Sequence, residues 1–311
     1  MKGKKDFLSI TDVSPNEIWD MFSLAKKLKS ELKEKGMNKQ VLKGKSLTLV
    51  FEKQSLRTRV SFEIGMAQLG GHVVYLDPRD TGIGVRESEE DISKVLSSMA
   101  SVIAARTYSY KTIKKMAKAA TIPVINALSD LEHPCQALTD LFTIWEVKGQ
   151  LEGLTIGYVG DGENNVAHSL CLGAAMLDMS FQCGSPKGYW MNKSIVNKAK
   201  QYKGKVFETD DAKEAVKDAD VVVTDTWVSM GDANKEERMQ VFKSYQVNTS
   251  LMKYAKKDAV FMHCLPAYRG YEVTTDVIAG KSSIVFQQAE NRLHVQKALL
   301  LYLMHIKDQI E

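Results

Sequence analysis

The feature that most constrains the fold is a strand-like segment followed directly by a helix-like segment. Residues 46–51 are largely apolar, as in a short buried strand, and residues 60–69 carry apolar side chains at helical spacing. The connecting stretch, Phe51-Glu52-Lys53-Gln54-Ser55-Leu56-Arg57-Thr58-Arg59, therefore predicts a strand-to-helix turn. Ser55 is its predicted N-cap, because serine readily accepts hydrogen bonds from a first helical turn.

The first turn of this helix carries Arg57 and Arg59, where cations oppose the helix dipole. Exposed N–H groups at a helix start, the hydroxyls of Ser55 and Thr58, and guanidinium groups together suit a small anion such as phosphate. Two solvated arginines on a surface helix are the alternative. The hydroxyls and the preceding buried strand favour the anion site.

The alternation of strand and helix patterns continues along the chain and indicates parallel sheets covered by helices. A first series has predicted strands at 46–51, 72–76, 102–105 and 122–126, with helices at 15–35, 56–69, 91–98 and 110–120. A second series has predicted strands at 154–159, 180–183, 220–224, 259–262 and 283–286, with helices at 164–177, 191–203 and 287–307 and an acidic turn at 208–214.

These two series predict an α/β fold with two domains, each a mostly parallel sheet flanked by helices and linked by helices. We expect the first domain at residues 1–147 and the second at 148–287. The helix near 134–147 joins them, and a terminal helix at 288–311 packs back on the first domain.

Composition narrows the class of protein. The net charge of +4 is mild and the lysines are scattered, which gives no argument for nucleic acid. No apolar run approaches the roughly 20 residues of a membrane span, and residues 1–6 show no apolar core of a signal peptide. The widely spaced cysteines are expected as free thiols in a reducing compartment, so the sequence predicts a cytoplasmic protein.

Most of the chemically distinctive residues follow predicted strands. Ligands of open α/β sheets bind beyond the carboxyl ends of the strands. The residues at those ends are Ser55 to Thr58, Arg106, Thr107, His133, Gln136, Asn164, Asn165, Asp225 and His263 to Pro266. Each has an ordinary explanation by itself, such as a helix cap or an ion pair, but their shared placement indicates one functional region.

Two cofactor interpretations fail on the residues. Gly160-Asp161-Gly162-Glu163-Asn164-Asn165 lacks the third glycine of a dinucleotide fingerprint, and the next strand ends in Gly184 without an acidic residue for a ribose. His263-Cys264 has no second ligand pair at metal-site spacing. We therefore expect neither a metal nor an organic cofactor. Cys264 could equally be a small buried apolar residue.

Five motifs together resemble the aspartate/ornithine carbamoyltransferase family, in the right order and over essentially the whole chain. They are Ser55-Leu56-Arg57-Thr58-Arg59, His133-Pro134-Cys135-Gln136, Asp225-Thr226-Trp227-Val228-Ser229-Met230-Gly231, His263-Cys264-Leu265-Pro266 and Ala289-Glu290-Asn291-Arg292-Leu293-His294. The third and fourth resemble the ornithine-using members in particular.

The resemblance implies a role for each matching residue. The implied carbamoyl phosphate ligands are Ser55, Leu56, Arg57, Thr58, Arg106, His133, Gln136, Cys264, Leu265 and Arg292. The implied ornithine ligands are Asn165, Asp225, Ser229, Met230, Cys264 and Leu265. The implied catalytic residues are Arg57, Arg106, His133, Cys264 and Arg292. Leu56 stands where the family usually has threonine, so its contribution is expected from the backbone N–H.

The resemblance also implies a reaction and an assembly. The carbamoyl group of carbamoyl phosphate is transferred to the δ-amino group of L-ornithine, which gives citrulline and phosphate, a step of arginine metabolism and amino-acid biosynthesis. The family is built on trimers, so a homotrimer or a multiple of it is expected. The loop 80–88, which neighbouring subunits lend to the site, aligns near Gly82, a residue without a side chain.

Two alternatives stay open at this stage. One is a carbamoyltransferase for another amine: putrescine, N-acylated ornithine or aspartate. The other is a non-catalytic anion-binding relative, which predicts the loss of Arg57, Arg106, His133 or Arg292, all of which are present. The sequence leaves the metabolic direction, biosynthetic or catabolic, undetermined.

Overall fold

The computed structural model describes residues 3–77, 79, 82–228 and 234–310. Its internal contacts divide the chain into two compact units. Unit 1 comprises Met1–Thr139 with Glu290–Glu311, and unit 2 comprises Asp140–Ala289. Both divisions fall inside long helices, so each of these helices contributes residues to both units.

Unit 1 contains a four-stranded parallel sheet with the strand order β2-β1-β3-β4. Its strands are β1 (Ser46–Phe51), β2 (His72–Leu76), β3 (Val102–Arg106) and β4 (Val124–Leu128). Its helices are α1 (Pro15–Lys35), α2 (Leu56–Gln68), α3 (Glu89–Met99) and α4 (Tyr110–Ala119), followed by the first part of α5 (Pro134–Lys148). The fold class and the first predicted series are confirmed, with β4 beginning two residues later than predicted.

Local signals in the sequence set the ends of α1. Ser14 and Glu17 form a reciprocal capping box around Pro15 at the first helical position. At the other end Gly36 adopts a left-handed conformation with φ of 71°, and its N–H donates to the carbonyl of Leu32. The helix therefore begins and ends where the sequence predicts.

Unit 2 contains a five-stranded parallel sheet with the order β7-β6-β5-β8-β9. Its strands are β5 (Thr155–Val159), β6 (Ser180–Gly184), β7 (Val206–Thr209), β8 (Val221–Val223) and β9 (Val260–Met262). Its helices are α6 (Asn165–Met176), α7 (Lys193–Ala199), α8 (Ala212–Val216), α9 (Lys235–Val241), α10 (Thr249–Met252) and α11 (Thr275–Ile278), and α12 (Val285–Leu303) begins here.

Two predictions for unit 2 are wrong. The predicted acidic turn at 208–214 contains the end of β7 and most of α8, because β7 is a short edge strand with a mixed polar pattern. The predicted strand at 283–286 is a single bridge between Ser283 and Phe261, after which α12 begins at Val285. A short apolar run does not distinguish a strand from a buried helix start.

Among the described residues, every helix is too short or too polar to cross a lipid bilayer. The core of each unit is apolar: β1, β3 and β4 pack on α4 in unit 1, and β5 and β8 pack on α8 and α11 in unit 2. These buried sheets fix the positions of the loops that follow their strands.

Candidate functional site

The carboxyl edge of the unit 1 sheet brings three predicted segments together. Phe51 at the end of β1 is the register partner of Arg106 at the end of β3, and β3 pairs with β4, which precedes His133. The N–H of Glu52 donates to the carbonyl of Arg106 at 2.8 Å, which joins the two strand ends directly. Arg106 is buried, so its guanidinium is held inside unit 1.

The structure confirms Ser55 as the residue that precedes α2, but not the capping hydrogen bond that the sequence predicts for its hydroxyl. Ser55 is the N-cap residue in an extended conformation, and its hydroxyl makes no capping hydrogen bond to the helix. Thr58 is buried and Arg57 is half-buried, whereas the side chain of Leu56 is 71% exposed. An exposed side chain at position 56 leaves the backbone N–H as the group that this residue can offer to an anion.

Arg292 links the terminal helix to this turn. Its Nη2 donates to the Oγ1 of Thr58 at 3.2 Å, and its Nη1 donates to the Oε1 of Gln136. All three side chains are buried. The Arg292 guanidinium therefore joins residues of α2, α5 and α12. Arg292 and Gln136 are 156 residues apart in the chain.

His133 completes this group and is held in its neutral form. Its side chain is buried, and burial lowers the pKa of the imidazole well below its usual value, with further lowering by the nearby charges of Arg292 and Arg106. A neutral imidazole can donate one hydrogen bond and accept another. Unit 1 therefore gathers Thr58, Arg106, His133, Gln136 and Arg292 as a buried, cationic set, here called the unit 1 site.

Arg59, which the sequence suggested as a second anion ligand, is engaged elsewhere. Its Nε donates to the Oε1 of Glu63 at 2.9 Å, one helical turn along α2. Its guanidinium carbon lies 3.8 Å from the ring centroid of Tyr75. The charge of Arg59 is compensated by Glu63, so the expectation of two arginines in the anion site is corrected to Arg57 alone from this turn.

In unit 2, Asp225 follows β8 and lies at the centre of a second group. The Nδ2 of Asn164 donates to its Oδ2 at 3.0 Å, and the thiol of Cys264 donates to its Oδ1 at 3.2 Å. Asn164 also caps α6 by accepting from the N–H of Val166. Asn165 is the half-buried first residue of α6. These residues, Asn164, Asn165, Asp225 and Cys264, are here called the unit 2 site.

A buried histidine supports the turn that carries Cys264 and Leu265. The Nδ1 of His263 accepts from the N–H of Leu265 at 2.9 Å, so its ring hydrogen lies on Nε2, which faces the Oε1 of Glu272 at 3.2 Å. Glu272 also accepts from the N–H of Tyr268. Leu265 itself has a left-handed φ of 58°. Glu272 was not predicted, because nothing in its local sequence links it to His263.

Asp225, His263 and Cys264 each bring one possible metal-ligand atom within 4.8 Å of the others. Both ring nitrogens of His263 already have partners, and the Cys264 thiol donates to Asp225. A metal would have to break these hydrogen bonds. The donor set fits a hydrogen-bonded site for an amine better than a metal site.

A further pair missed by sequence reasoning joins Asp161 to Arg238. Arg238 ion-pairs with Asp161 just after β5, and its Nε donates to the carbonyl of Trp227 at 2.7 Å. No local sequence signal connects residues 77 positions apart. The predicted ligands Ser229 and Met230 lie outside the described residues.

Each of the five motifs contributes at least one residue to the unit 1 site or the unit 2 site. Comparison with known proteins identifies the family. The profile of the aspartate/ornithine carbamoyltransferase carbamoyl-P binding domain matches residues 5–146, and that of the Asp/Orn binding domain matches residues 152–303. The chain belongs to the aspartate/ornithine carbamoyltransferase family. The resemblance seen in the sequence is confirmed.

Members of this family with similar sequences come from archaea and bacteria. The ornithine carbamoyltransferase of Methanosarcina acetivorans is 51% identical over 302 residues, which cover 97% of this chain and 99% of that protein. The ornithine carbamoyltransferase of Anoxybacillus flavithermus is 51% identical over 309 residues, with 98% of each chain covered.

Solved structures of the family share the fold. Ornithine carbamoyltransferase from Pyrococcus furiosus has a TM-score of 0.94 and 46% identity, covering 97% of this chain and 98% of that one. The enzyme of the same name from Thermus thermophilus has a TM-score of 0.87 and 43% identity, covering 96% and 99%.

Proposed function

We propose that this chain is an ornithine carbamoyltransferase, which transfers the carbamoyl group of carbamoyl phosphate to the δ-amino group of L-ornithine and releases L-citrulline and phosphate. The observation that carries the proposal is the hydrogen bonding of Arg292 to both Thr58 and Gln136 in a buried cationic group. Relatives of that name, matched over nearly the full chain, support it.

Unit 1 binds carbamoyl phosphate. The phosphate lies at the start of α2, where Ser55, Arg57, Thr58 and the N–H of Leu56 supply donors and the helix N-terminus favours negative charge. Arg106 pairs with the phosphate and the carbonyl oxygen. His133, Gln136 and Arg292 hold the carbamoyl group, whose carbonyl oxygen needs donors as charge develops on it.

The neutral state of His133 suits this role. An imidazolium beside Arg106 and Arg292 would add a third cation, and the low pKa of His133 prevents this. The neutral ring donates one hydrogen bond to the carbonyl oxygen without adding charge to the buried site. His133 therefore stabilises the tetrahedral intermediate as a hydrogen-bond donor and takes no proton from the amine.

Unit 2 binds ornithine. Asp225 attracts the α-ammonium group, and its carboxylate is oriented by Asn164 and Cys264. Asn165 suits the α-carboxylate, and Ser229 and Met230 are assigned to the amino-acid end as the sequence predicts. Cys264 and the carbonyl of Leu265 face the δ-amino group and the carbamoyl group during transfer. The groups assigned to the α-ammonium and the α-carboxylate, Asp225 and Asn165, favour ornithine over two of the alternative substrates. Putrescine lacks the α-carboxylate, and N-acylated ornithine lacks the α-ammonium.

The chemical step is nucleophilic addition followed by loss of phosphate. The neutral δ-amine forms a C–N bond to the carbamoyl carbon, the C–O bond to phosphate breaks, and the departing phosphate accepts the amine proton. An alkyl amine has a pKa of about 10, so the site must favour its neutral form. Arg57, Arg106 and Arg292 stabilise the charge that moves to the phosphate.

A homotrimer, or a multiple of one, is part of the proposal. Leu56, Val60 and Ile64 recur every four residues on α2 and are all exposed, and exposed Val74 lies on the edge strand β2. An apolar stripe on a helix face is expected to be covered by another protein surface. Val60→Glu should reduce the mass measured by light scattering to that of a monomer, whereas an unchanged mass would place the interface elsewhere.

A cellular location and a pathway are also part of the proposal. The four cysteines are free thiols, which supports the proposed cytoplasmic location. The products place the protein in arginine metabolism. No metal or organic cofactor is assigned to the reaction.

The test is citrulline formation with carbamoyl phosphate and, in parallel, ornithine, putrescine, N-acetylornithine and aspartate. A strong preference for ornithine is expected. Preference for another amine would keep the unit 1 assignment and overturn that of unit 2. Binding of carbamoyl phosphate without turnover of any amine would contradict the enzymatic proposal and indicate an anion-binding relative.

A further inference from the structure

Lys297 is a fully buried lysine of α12 that the proposed chemistry does not use. Its ammonium donates to two neutral amide oxygens, the Oδ1 of Asn38 at 2.6 Å and the Oε1 of Gln68 at 2.9 Å. Burying a charge is costly unless hydrogen bonds compensate for it, and an apolar side chain of similar length would fill the same space at lower cost. The lysine is therefore expected to do something that packing alone would not require.

The two acceptors come from different elements. Gln68 is the last residue of α2, whose first turn carries Arg57 and Thr58. Asn38 follows α1 and is itself held by hydrogen bonds from its Nδ2 to the carbonyl of Leu28 at 2.9 Å and to the Oε2 of Glu31 at 3.0 Å. The ammonium thus joins α12 to the end of α2 and, through Asn38, to α1.

Helices α2 and α12 are consequently connected at two places. Near the start of α2, the Arg292 guanidinium donates to Thr58; at its end, the Lys297 ammonium donates to Gln68. Between them, a Cβ on Gly65 would lie 3.2 Å from the Cγ of Lys297, which shows how closely the helices pack. Thr58 and Gln68 are about 15 Å apart along the helix axis. Two attachments at this separation fix how α2 lies along α12.

We propose that Lys297 is a positioning residue for carbamoyl phosphate: its ammonium fixes the end of α2 against α12 and so sets the place of the Ser55–Thr58 turn relative to Arg292. This inference rests on the proposed function of the unit 1 site. The ligand is carbamoyl phosphate, and inorganic phosphate serves as its simpler probe.

The surroundings of Lys297 also predict a pH dependence. Burial lowers the pKa of the ammonium to about 8, and the carboxylate of Glu31 acts in the opposite direction. Glu31 of α1 also pairs with Lys35, and α2 presents the neutral amide of Gln68. The charged or titratable residues of α12 nearest to Lys297 in the sequence are His294, Arg292 and Tyr302. Deprotonation above about pH 8 leaves two N–H donors but removes the positive charge, which strengthens the hydrogen bonds to the amide oxygens and attracts Glu31. The α2 attachment therefore weakens.

The test compares wild type with Lys297→Met, which keeps the length of the side chain and removes its charge and hydrogen bonds. Lys307→Met is the matched control, because Lys307 follows α12 and forms an exposed pair with Asp20. Calorimetry measures the Kd of carbamoyl phosphate and of inorganic phosphate at pH 7 and pH 9.5, and kinetics measure KM for both substrates.

For Lys297→Met we expect carbamoyl phosphate and phosphate to bind about tenfold more weakly at pH 7, the effect of losing a charged hydrogen bond. KM for ornithine should change less than about twofold. The wild type and the control should lose affinity between pH 7 and pH 9.5, and Lys297→Met should show no such loss. Circular dichroism and gel filtration check the fold.

A second variant covers the case in which Lys297→Met does not fold. Gln68→Leu removes the acceptor at the end of α2 and keeps the lysine. It should raise the Kd of carbamoyl phosphate about threefold. A folded variant of either kind with wild-type affinity and the wild-type pH dependence would overturn the role of Lys297. Failure of the wild type itself to bind carbamoyl phosphate would instead overturn the proposed function.

Discussion

Arg238 of α9 and Asp161, just after β5, form an ion pair in unit 2, in which Asp161 is buried and the side chain of Arg238 is 12% exposed. The same guanidinium donates from Nε to the carbonyl of Trp227, and its carbon lies 5.0 Å from the ring centroid of Tyr189. Trp227 precedes residues 229–233 and Arg238 follows them. The Arg238 side chain therefore connects the residues that precede and follow the predicted ornithine ligands Ser229 and Met230. These two ligands lie close in sequence to Asp225.

Arg238→Lys should raise KM for ornithine about tenfold and leave the Kd of carbamoyl phosphate unchanged. Lysine keeps the positive charge but lacks the planar guanidinium that contacts Asp161 and the Trp227 carbonyl together. Steady-state kinetics and calorimetry give the two quantities. Lys235→Ala, an exposed change on the same helix, should leave both at wild-type values. An unchanged KM for ornithine in Arg238→Lys would show that the pair does not support the unit 2 site.

The same pair predicts an acid limit for ornithine use. Burial raises the pKa of Asp161 to about 6, although Arg238 opposes the rise. The carboxylate is ionised above that pH and the ion pair is present there; it is lost as the pH falls through about 6. KM for ornithine should increase between pH 7 and pH 5.5 in the wild type.

Asp161→Asn is the comparison for this pH effect, because asparagine keeps the shape and cannot ionise. At pH 7 its KM for ornithine should be higher than that of the wild type. Between pH 7 and pH 5.5 its KM should increase less than the wild-type KM does, because residue 161 can no longer be protonated. The Kd of carbamoyl phosphate, measured separately, should be unaffected by the substitution. A wild-type KM that is constant over this range would contradict the assignment.

Arg57 and Arg59 offer a matched pair on one helical turn. Arg57→Ala should lower kcat/KM at least about a thousandfold without unfolding the protein, because it removes a cation from the leaving phosphate. Arg59→Ala removes a charge already paired with Glu63 and should change kcat/KM less than about threefold. Equal effects of the two substitutions would refute the distinction that the structure makes between them.

Cys264→Ala should weaken the binding of ornithine and leave the binding of carbamoyl phosphate unchanged. The thiol donates to Asp225, so its loss removes a hydrogen bond that orients the carboxylate, and KM for ornithine should rise about tenfold. Cys171→Ala, which changes a buried thiol within α6, serves as the control and should leave both substrate constants unchanged. Weaker binding of carbamoyl phosphate with an unchanged KM for ornithine would contradict this role and indicate that Cys264 binds carbamoyl phosphate instead.

Much of the fold could be predicted because its signals are local. Ser14, Pro15, Glu17 and Gly36 set the ends of α1 through capping hydrogen bonds and a left-handed backbone position. The apolar run of β1 and the helical spacing after Ser55 gave the strand-to-helix turn. Motif residues at strand ends gave the members of the candidate site, since parallel strands bring their carboxyl ends to one edge.

The sequence by itself therefore determined the alternating elements, the two sheets and the motif residues, because backbone sterics, capping and periodicity act over a few residues. Tertiary structure decided which polar groups meet: Arg292 with Thr58 and Gln136, Asp161 with Arg238, His263 with Glu272, and Lys297 with Gln68. It also decided that Arg59 pairs with Glu63 while Arg57 does not, and that Val285 begins a helix. Partners far apart in the chain leave no local pattern, since their attraction and burial exist only once the core has packed.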